Sequence, residues 1–209
     1  RIPRVGLEEL LGQNVDITLS ELSNADGNVS FLELIVITSL IRQYNPDLTL
    51  EIGTFDGRTT LNMALNQHEG SRAVTLNLPP SEIDAVDQPI EETEAKYILN
   101  PISGARFDGR MTPGKINQVF GDSATYDFDE YTGKVDVLFV DGSHSYEYAL
   151  KDSKTARSLV RPGGVIIWHD YDTPHWFGVT RALNELGEQD PEFAGLKHVM
   201  DTSLCVLQT

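Results

Sequence analysis

Asp141, His144, His169 and Asp170 are the residues of this chain best suited to chemistry. Asp141-Gly142-Ser143-His144 follows the apolar run Val135-Asp136-Val137-Leu138-Phe139-Val140, and His169-Asp170-Tyr171 follows Val165-Ile166-Ile167-Trp168. If those runs are neighbouring strands, they lie ~4.8 Å apart and release both carboxylates at one end. Carboxylates so placed suit a hard divalent cation such as Mg²⁺, which takes one or two of them and completes its octahedron with water and substrate oxygens. His169 either adds a third ligand or points away as Asp170 points in. For the aspartates the plainer reading is a turn or a helix cap, since Asp141 precedes Gly142 and a helix. His144, three residues beyond Asp141, offers an imidazole that accepts a proton near neutral pH; its plainer reading is a cap or a core position. Asp141, His144 and His169 also spell two histidines and one carboxylate, the ligand set of a non-haem iron oxygenase. His175 is a further candidate on the loop after Asp170, and Tyr146, Tyr171, Trp176 and Phe177 could wall a pocket for a small acceptor.

The elements that must position these groups alternate along the chain. Ser30-Phe31-Leu32-Glu33 has capping-box spacing and opens an apolar stretch to Ile41, so a largely buried helix is expected, ending near Asn45-Pro46. Leu48 to Ile52 reads as a strand, and Gly53-Thr54-Phe55-Asp56-Gly57 turns from it into a helix with Leu61, Ala64 and Leu65 on one face. Further strands are expected at 73–76, 116–120, 135–140 and 165–168. A helix from Tyr146 to Val160 stops at Arg161-Pro162-Gly163-Gly164, another surrounds Val179 to Leu186, and 197–200 with 203–207 form a closing hairpin. This order implies an α/β fold: a single Rossmann-like domain with a mostly parallel seven-stranded sheet, helices on both faces and a C-terminal antiparallel hairpin. Residues 1–46 are expected to form a helical segment packed on a core of 47–209. Between Pro79 and Lys115 the pattern weakens into five prolines, an acidic run and an apolar patch at Tyr97-Ile98-Leu99, read as an insertion or lid with one helix.

In open α/β sheets ligands sit beyond the carboxyl ends of the strands. The Glu51 turn, Asn77, Asp122-Ser123, Asp141 and Asp170 should therefore face one crevice. Phe55 stands where the dinucleotide fingerprint G-x-G-x-x-G needs its second glycine, which disfavours NAD. A turn of the form E-x-G-x-x-x-G suits a ligand without pyrophosphate, and a carboxylate at its start can receive donors from a cationic one. S-adenosylmethionine, with a sulfonium and an ammonium group, meets that description.

With 209 residues and 40% hydrophobic content, the chain supports one substantial domain. Its 16 basic and 32 acidic residues leave a formal charge of −16, which opposes nucleic-acid phosphates and anionic membranes as partners. Glu82, Asp84, Asp87, Glu91, Glu92 and Glu94 form a run without a base and read as a solvated face. The single cysteine, Cys205, excludes an internal disulfide, and Arg1 to Gly12 has no apolar core of signal-peptide length, so the cytoplasm is the expected location. No apolar stretch reaches the ~18 residues of a membrane span. The apolar helix 31–41 leaves room for a homo-oligomer.

Glu51-Ile-Gly-Thr-Phe-Asp-Gly-Arg-Thr-Thr-Leu-Asn-Met-Ala64 resembles motif I of class I S-adenosylmethionine-dependent methyltransferases, in the form used by catechol O-methyltransferase-like enzymes. Phe139-Val-Asp-Gly-Ser-His-Ser-Tyr146 with Gly163-Gly-Val-Ile-Ile-Trp-His-Asp-Tyr171 resembles, more specifically, the small-molecule methyltransferases grouped with macrocin O-methyltransferase and the so-called cephalosporin hydroxylases. The resemblance runs from about Gly27 to Leu207. It implies that Glu51, Gly53, Thr54 and Gly57 line the methionine and ribose part of an S-adenosylmethionine site, with Asp122 and Ser123 beside the adenine and Asp141 bordering both cofactor and metal. The family usually has an acid at the end of the second strand for the ribose hydroxyls; Asn77 stands there in this chain and carries no charge. Metal-dependent relatives bind their ion at the positions of Asp141 and Asp170, many with a carboxylate where this chain has His169. At the offset of His144, catechol O-methyltransferase-like enzymes place a catalytic lysine and macrolide-modifying relatives a histidine. The expected function is therefore divalent-metal-assisted O-methylation of a hydroxylated sugar, phenol or natural product, with His144 as general base. The iron oxygenase and a catalytically silent binding protein of the same fold are the alternatives.

Overall fold

Residues 135–140 form a strand in which every residue is buried, as a near-continuous apolar run between two helical layers requires. Its Asp136 accepts from the Asp47 and Leu48 amides and from Arg161. The computed structural model describes residues 1–12, 14–86, 90, 93–99 and 102–209. In chain order its strands are β1 Arg4–Val5, β2 Leu48–Ile52, β3 Arg72–Asn77, β4 Ile116–Phe120, β5 Val135–Val140, β6 Val160–Trp168, β7 Lys197–Val199 and β8 Cys205–Gln208. The helices are α1 Leu7–Leu11, α2 Phe31–Tyr44, α3 Arg58–Asn66, α4 Ala95–Ile98, α5 Tyr146–Leu159 and α6 Phe177–Gln189. The strands form one sheet in the order β4-β3-β2-β5-β6-β8-β7-β1, in which only β8 runs against its neighbours.

The period of two along the strands builds the two cores. Leu138 and Val140 join Leu50, Ile52, Ile166 and Trp168 beneath α5 and α6. Val137 and Phe139 turn the other way, with Val165, Ile167 and Val206, against Leu34, Ile37, Leu40 and Ile41 of α2. The helix α2 opens on the expected capping box: the Ser30 amide donates to Glu33 at 2.7 Å and the Glu33 amide donates to the Ser30 hydroxyl at 3.3 Å. It ends at Asn45 in the left-handed conformation. Leu34, Val36, Ile37, Leu40 and Ile41 are covered within the one chain, whereas Phe31 at the start of the helix is 49% exposed.

The sheet has eight strands among the described residues where seven were expected. The eighth, Arg4–Val5, pairs in parallel with His198 and Val199 and is too short to show a period. Residues 160–164 also differ from expectation: α5 stops at Leu159, and Val160 to Gly164 already belong to β6, with a register irregularity where Val135 faces Val160 and Val137 faces Val165. The insertion after β3 holds a 3₁₀ turn at Pro80–Ala85, the single-turn α4 and a series of turns over 102–111. Asp87, Glu91 and Glu92 of the acidic run, and Pro89 and Pro101, lie outside the described residues. No helix among the described residues is long and apolar enough to cross a membrane.

Candidate active site

From β2 the chain proceeds to β3 and β4 on one side of the sheet, and from β5 to β6 on the other. A crevice opens at the carboxyl ends where the two directions part. It holds a cavity of 260 Å³. Gly53 lets its two edges approach: a Cβ at that position would lie 1.9 Å from the Asp141 carbonyl oxygen, and its φ of +98° is one that side chains rarely adopt. Phe55, in the same turn, reaches the cavity wall beside Tyr97 of the insertion, their rings edge to face at 5.6 Å.

Of the positions expected around a cofactor, Gly53, Asn77, Asp122, Ser123 and Asp141 line this cavity; Glu51, Thr54 and Gly57 do not. Glu51 is 1% exposed and was expected against the cationic part of a ligand. Instead its carboxyl group accepts from the Thr60 hydroxyl and, at 2.6 Å, from the Thr75 hydroxyl. Burial pushes its pKa up to about 8 against the pull of those two hydrogen bonds. Thr54 is engaged with the Thr75 hydroxyl at 2.7 Å, and Gly57 is turned toward Phe107. Asn77 accepts from the Thr54 amide at 3.3 Å and donates to the Leu78 carbonyl at 3.0 Å.

At the other end of the cavity, β5 and β6 deliver Asp141, His144, His169 and Asp170 together. His144 Nε2 is 2.7 Å from Asp170 Oδ2. His169 points in as well: its Nδ1 lies 3.0 Å from Asp141 and 3.1 Å from Asp170. One carboxylate oxygen each of Asp141 and Asp170 and a ring nitrogen of His144 lie within 4.8 Å of one another, a spacing that fits one cation. Asp170 takes a left-handed φ of +65°, which Asp tolerates better than most residues. His175 is exposed on its loop. Of the four aromatic residues expected to wall an acceptor pocket, Trp176 lines the cavity, its ring stacked on His144 with centroids 4.0 Å apart. Tyr171 is buried and donates to Asn184, Tyr146 donates to Glu185, and Phe177 is 71% exposed.

Two acids complete the cluster from outside these strands. Glu33, in the first turn of α2, accepts from the amide and hydroxyl of Ser203 and lies 3.4 Å from His169 Nε2. Glu94, from the insertion, is 3% exposed, not part of a solvated face as its run suggested. Its carboxylate accepts from the His144 amide, from His144 Nδ1 and from the Ser143 hydroxyl. Acids and imidazoles thus alternate from Glu94 through His144, Asp170 and His169 to Glu33. Burial lowers the pKa of both histidines, but their acidic neighbours prevail: His144 rises to about 9, and His169 rises well above the ordinary value. Burial likewise raises Glu33, Glu94 and Asp170, and their histidine partners hold all three below the usual carboxylate range.

Residues 50–171, more than half of the chain, running from within β2 to Tyr171, match the sequence family described as "Methyltransferase domain". The chain belongs to this methyltransferase family. A curated relative, uncharacterized protein R132 of Acanthamoeba polyphaga mimivirus, is 25% identical over 73% of the methyltransferase, which spans 65% of the relative's length. Among solved structures, the O-methyltransferase from Bacillus cereus in complex with SAH is 19% identical, covering 88% of this chain and 84% of that one with a TM-score of 0.61. The O-methyltransferase TomG from Streptomyces achromogenes, involved in tomaymycin synthesis and in complex with SAM, is 20% identical over 88% and 82% with a TM-score of 0.59. These structures share the methyltransferase's fold. Its matched span contains Glu94, Asp141, His144, His169 and Asp170, whereas Glu33 and Trp176 enter from outside it.

Proposed function

We propose that the methyltransferase catalyses S-adenosylmethionine-dependent O-methylation of a hydroxylated small molecule, assisted by a divalent cation, in the cytoplasm. One observation carries this reading: a single cavity joins the Gly53, Asn77, Asp122 and Ser123 end to the Asp141, His144 and Asp170 cluster. The residues fit both groups. Ile52, Leu76 and Leu78 offer apolar walls for an adenosine, with Asn77 and Asp122 at its polar edges. Asp141 and Asp170 offer hard oxygens, and His169 Nδ1 stands beside both. When bound, S-adenosylmethionine supplies an electrophilic methyl carbon, and a divalent cation lowers the pKa of an acceptor hydroxyl.

The chain's own residues then orient the acceptor and take its proton. Trp176 and Tyr97 flank the space beside His144. With S-adenosylmethionine bound, in-line attack of the acceptor oxygen on its methyl carbon would release S-adenosylhomocysteine, and His144 Nε2 would take the hydroxyl proton. That nitrogen now faces Asp170, so the base form requires Asp170 to direct its charge to a cation instead. Measuring S-adenosylhomocysteine release over a panel of polyhydroxylated acceptors, with Mg²⁺ and with EDTA, tests the proposal: release is expected with Mg²⁺ alone. Turnover unchanged in EDTA would remove the cation from the mechanism. The distances also favour a second role for His144, as a third ligand with Asp141 and Asp170. Loss of metal affinity in His144→Gln would select that role over the base.

A further inference from the structure

We propose that Glu94 is the positioning residue of this site: by holding the Nδ1 and amide of His144 and the hydroxyl of Ser143, it orients the general base. The inference rests on the reading of His144 as base and adds what makes that base competent. His144 and Glu94 are 50 residues apart, and Glu94 reaches the histidine through two of its donors at once. With Nδ1 committed to donating, the lone pair of a neutral ring sits on Nε2, the nitrogen directed at Asp170. Trp176 holds the ring plane from the side, stacked at an interplanar angle of 17°. Orientation within the ring's own plane is set by Glu94 at Nδ1 and by Asp170 at Nε2.

The insertion that carries Glu94 is docked by its next residues. Lys96 donates to Asp26 at 2.7 Å, the Tyr97 hydroxyl donates to the same carboxylate at 3.2 Å, and the Tyr97 ring meets Phe55. Gly27 makes room for it: a Cβ there would approach the Tyr97 ring to 2.8 Å. Seating α4 against residues 26–28 therefore delivers Glu94 beneath the Asp141–His144 loop.

The test needs no acceptor. The chain has two tryptophans, so the Trp176 emission is the difference between an otherwise identical protein and its Trp176→Phe counterpart, and an imidazole held against the indole face quenches that emission by contact. Loss of charge-assisted hydrogen bonds in Glu94→Ala is expected to speed exchange of the His144 amide about tenfold or more. The Trp176 emission should rise by about twofold in the same variant, with S-adenosylhomocysteine affinity within about threefold of wild type. Wild-type emission and wild-type His144 protection in Glu94→Ala would overturn the proposal. Should Glu94→Ala lose protection throughout β5 and α5 and thus fail to fold, Glu94→Asp, which keeps the charge but withdraws it by one methylene, decides. An intermediate emission supports the role and a wild-type emission overturns it. The base reading fails separately: a His144→Gln enzyme that still transfers methyl groups would deny catalysis to the histidine while leaving the dependence of Trp176 on Glu94 intact.

Discussion

The two ends of the cavity are built on opposite plans. At the cofactor end, polar groups are answered by partners no more than 26 residues away: Glu51 by Thr60 and Thr75, Asn77 by Thr54 and Leu78, and Asp122 by the Ala124 amide and the Tyr148 hydroxyl. At the acceptor end, Glu33, Glu94, His144, His169, Asp141 and Asp170 answer one another across most of the chain. The first end is finished without a ligand. The second balances acids against imidazolium, an arrangement in which a cation can replace protons. The difference implies that the cofactor end should bind its ligand whatever happens at the cluster, while the cluster should govern turnover.

Substitutions at the cluster should separate the two ends most sharply. His144→Gln is expected to lower methyl transfer by about 10²–10⁴-fold, with S-adenosylhomocysteine affinity measured by calorimetry close to wild type; a parallel loss of affinity would break the separation. Asp170→Asn should lower transfer by about a hundredfold or more through the lost cation ligand, and excess Mg²⁺ should restore little of it. Gly53→Ala strikes where the two ends touch. Its Cβ would overlap the Asp141 carbonyl, so a destabilisation of about 3 kcal/mol in urea unfolding and the loss of both binding and transfer are expected.

Glu51 gives a pH dependence belonging to the cofactor end alone. Its folded pKa, raised to about 8 by burial, exceeds the ~4.3 of an unfolded glutamate, so the folded form keeps a proton that the unfolded chain releases. The stability from this group is whole at acid pH, declines as pH rises between those two values, and is gone above the folded one. Thermal melts of Glu51→Gln should lack this decline, by on the order of 2–4 kcal/mol at pH 8; melts parallel to wild type would show Glu51 to be ionised in the fold. The smallest effect is expected at Asn77→Asp, which adds a charge at the ribose edge: about threefold tighter binding, on the scale of one hydrogen bond to a charged group.

Much of the first plan was legible in the sequence, because it is local. Periods of two and of 3.6 residues exposed the strands and helices, and the residue after each strand end is a fixed place in such a sheet. The same fixed place singled out Asp141, His144, His169 and Asp170 of the other end as candidates, although not the partners that reach them from far along the chain. The two-residue β1 has no period to read. Glu51 was assigned outward because a strand-end acid in a glycine turn resembles a ligand contact; the threonines that enclose it come from α3 and β3. Glu33 was visible only as half of a capping box, and its second task at Ser203 and His169 depends on β8 returning beside α2. Glu94 lay in an acidic run whose composition signals solvation, and only its contacts with Ser143 and His144, 49 and 50 residues on, reveal its place.

The most direct test is calorimetric titration of S-adenosylhomocysteine into the wild-type protein and into Asp170→Asn. The account predicts micromolar binding to both, within about threefold of each other, because the cofactor end is complete without the cluster. Absence of binding to properly folded wild-type protein would contradict the proposed function, and binding that disappears in Asp170→Asn would contradict the independence of the two ends.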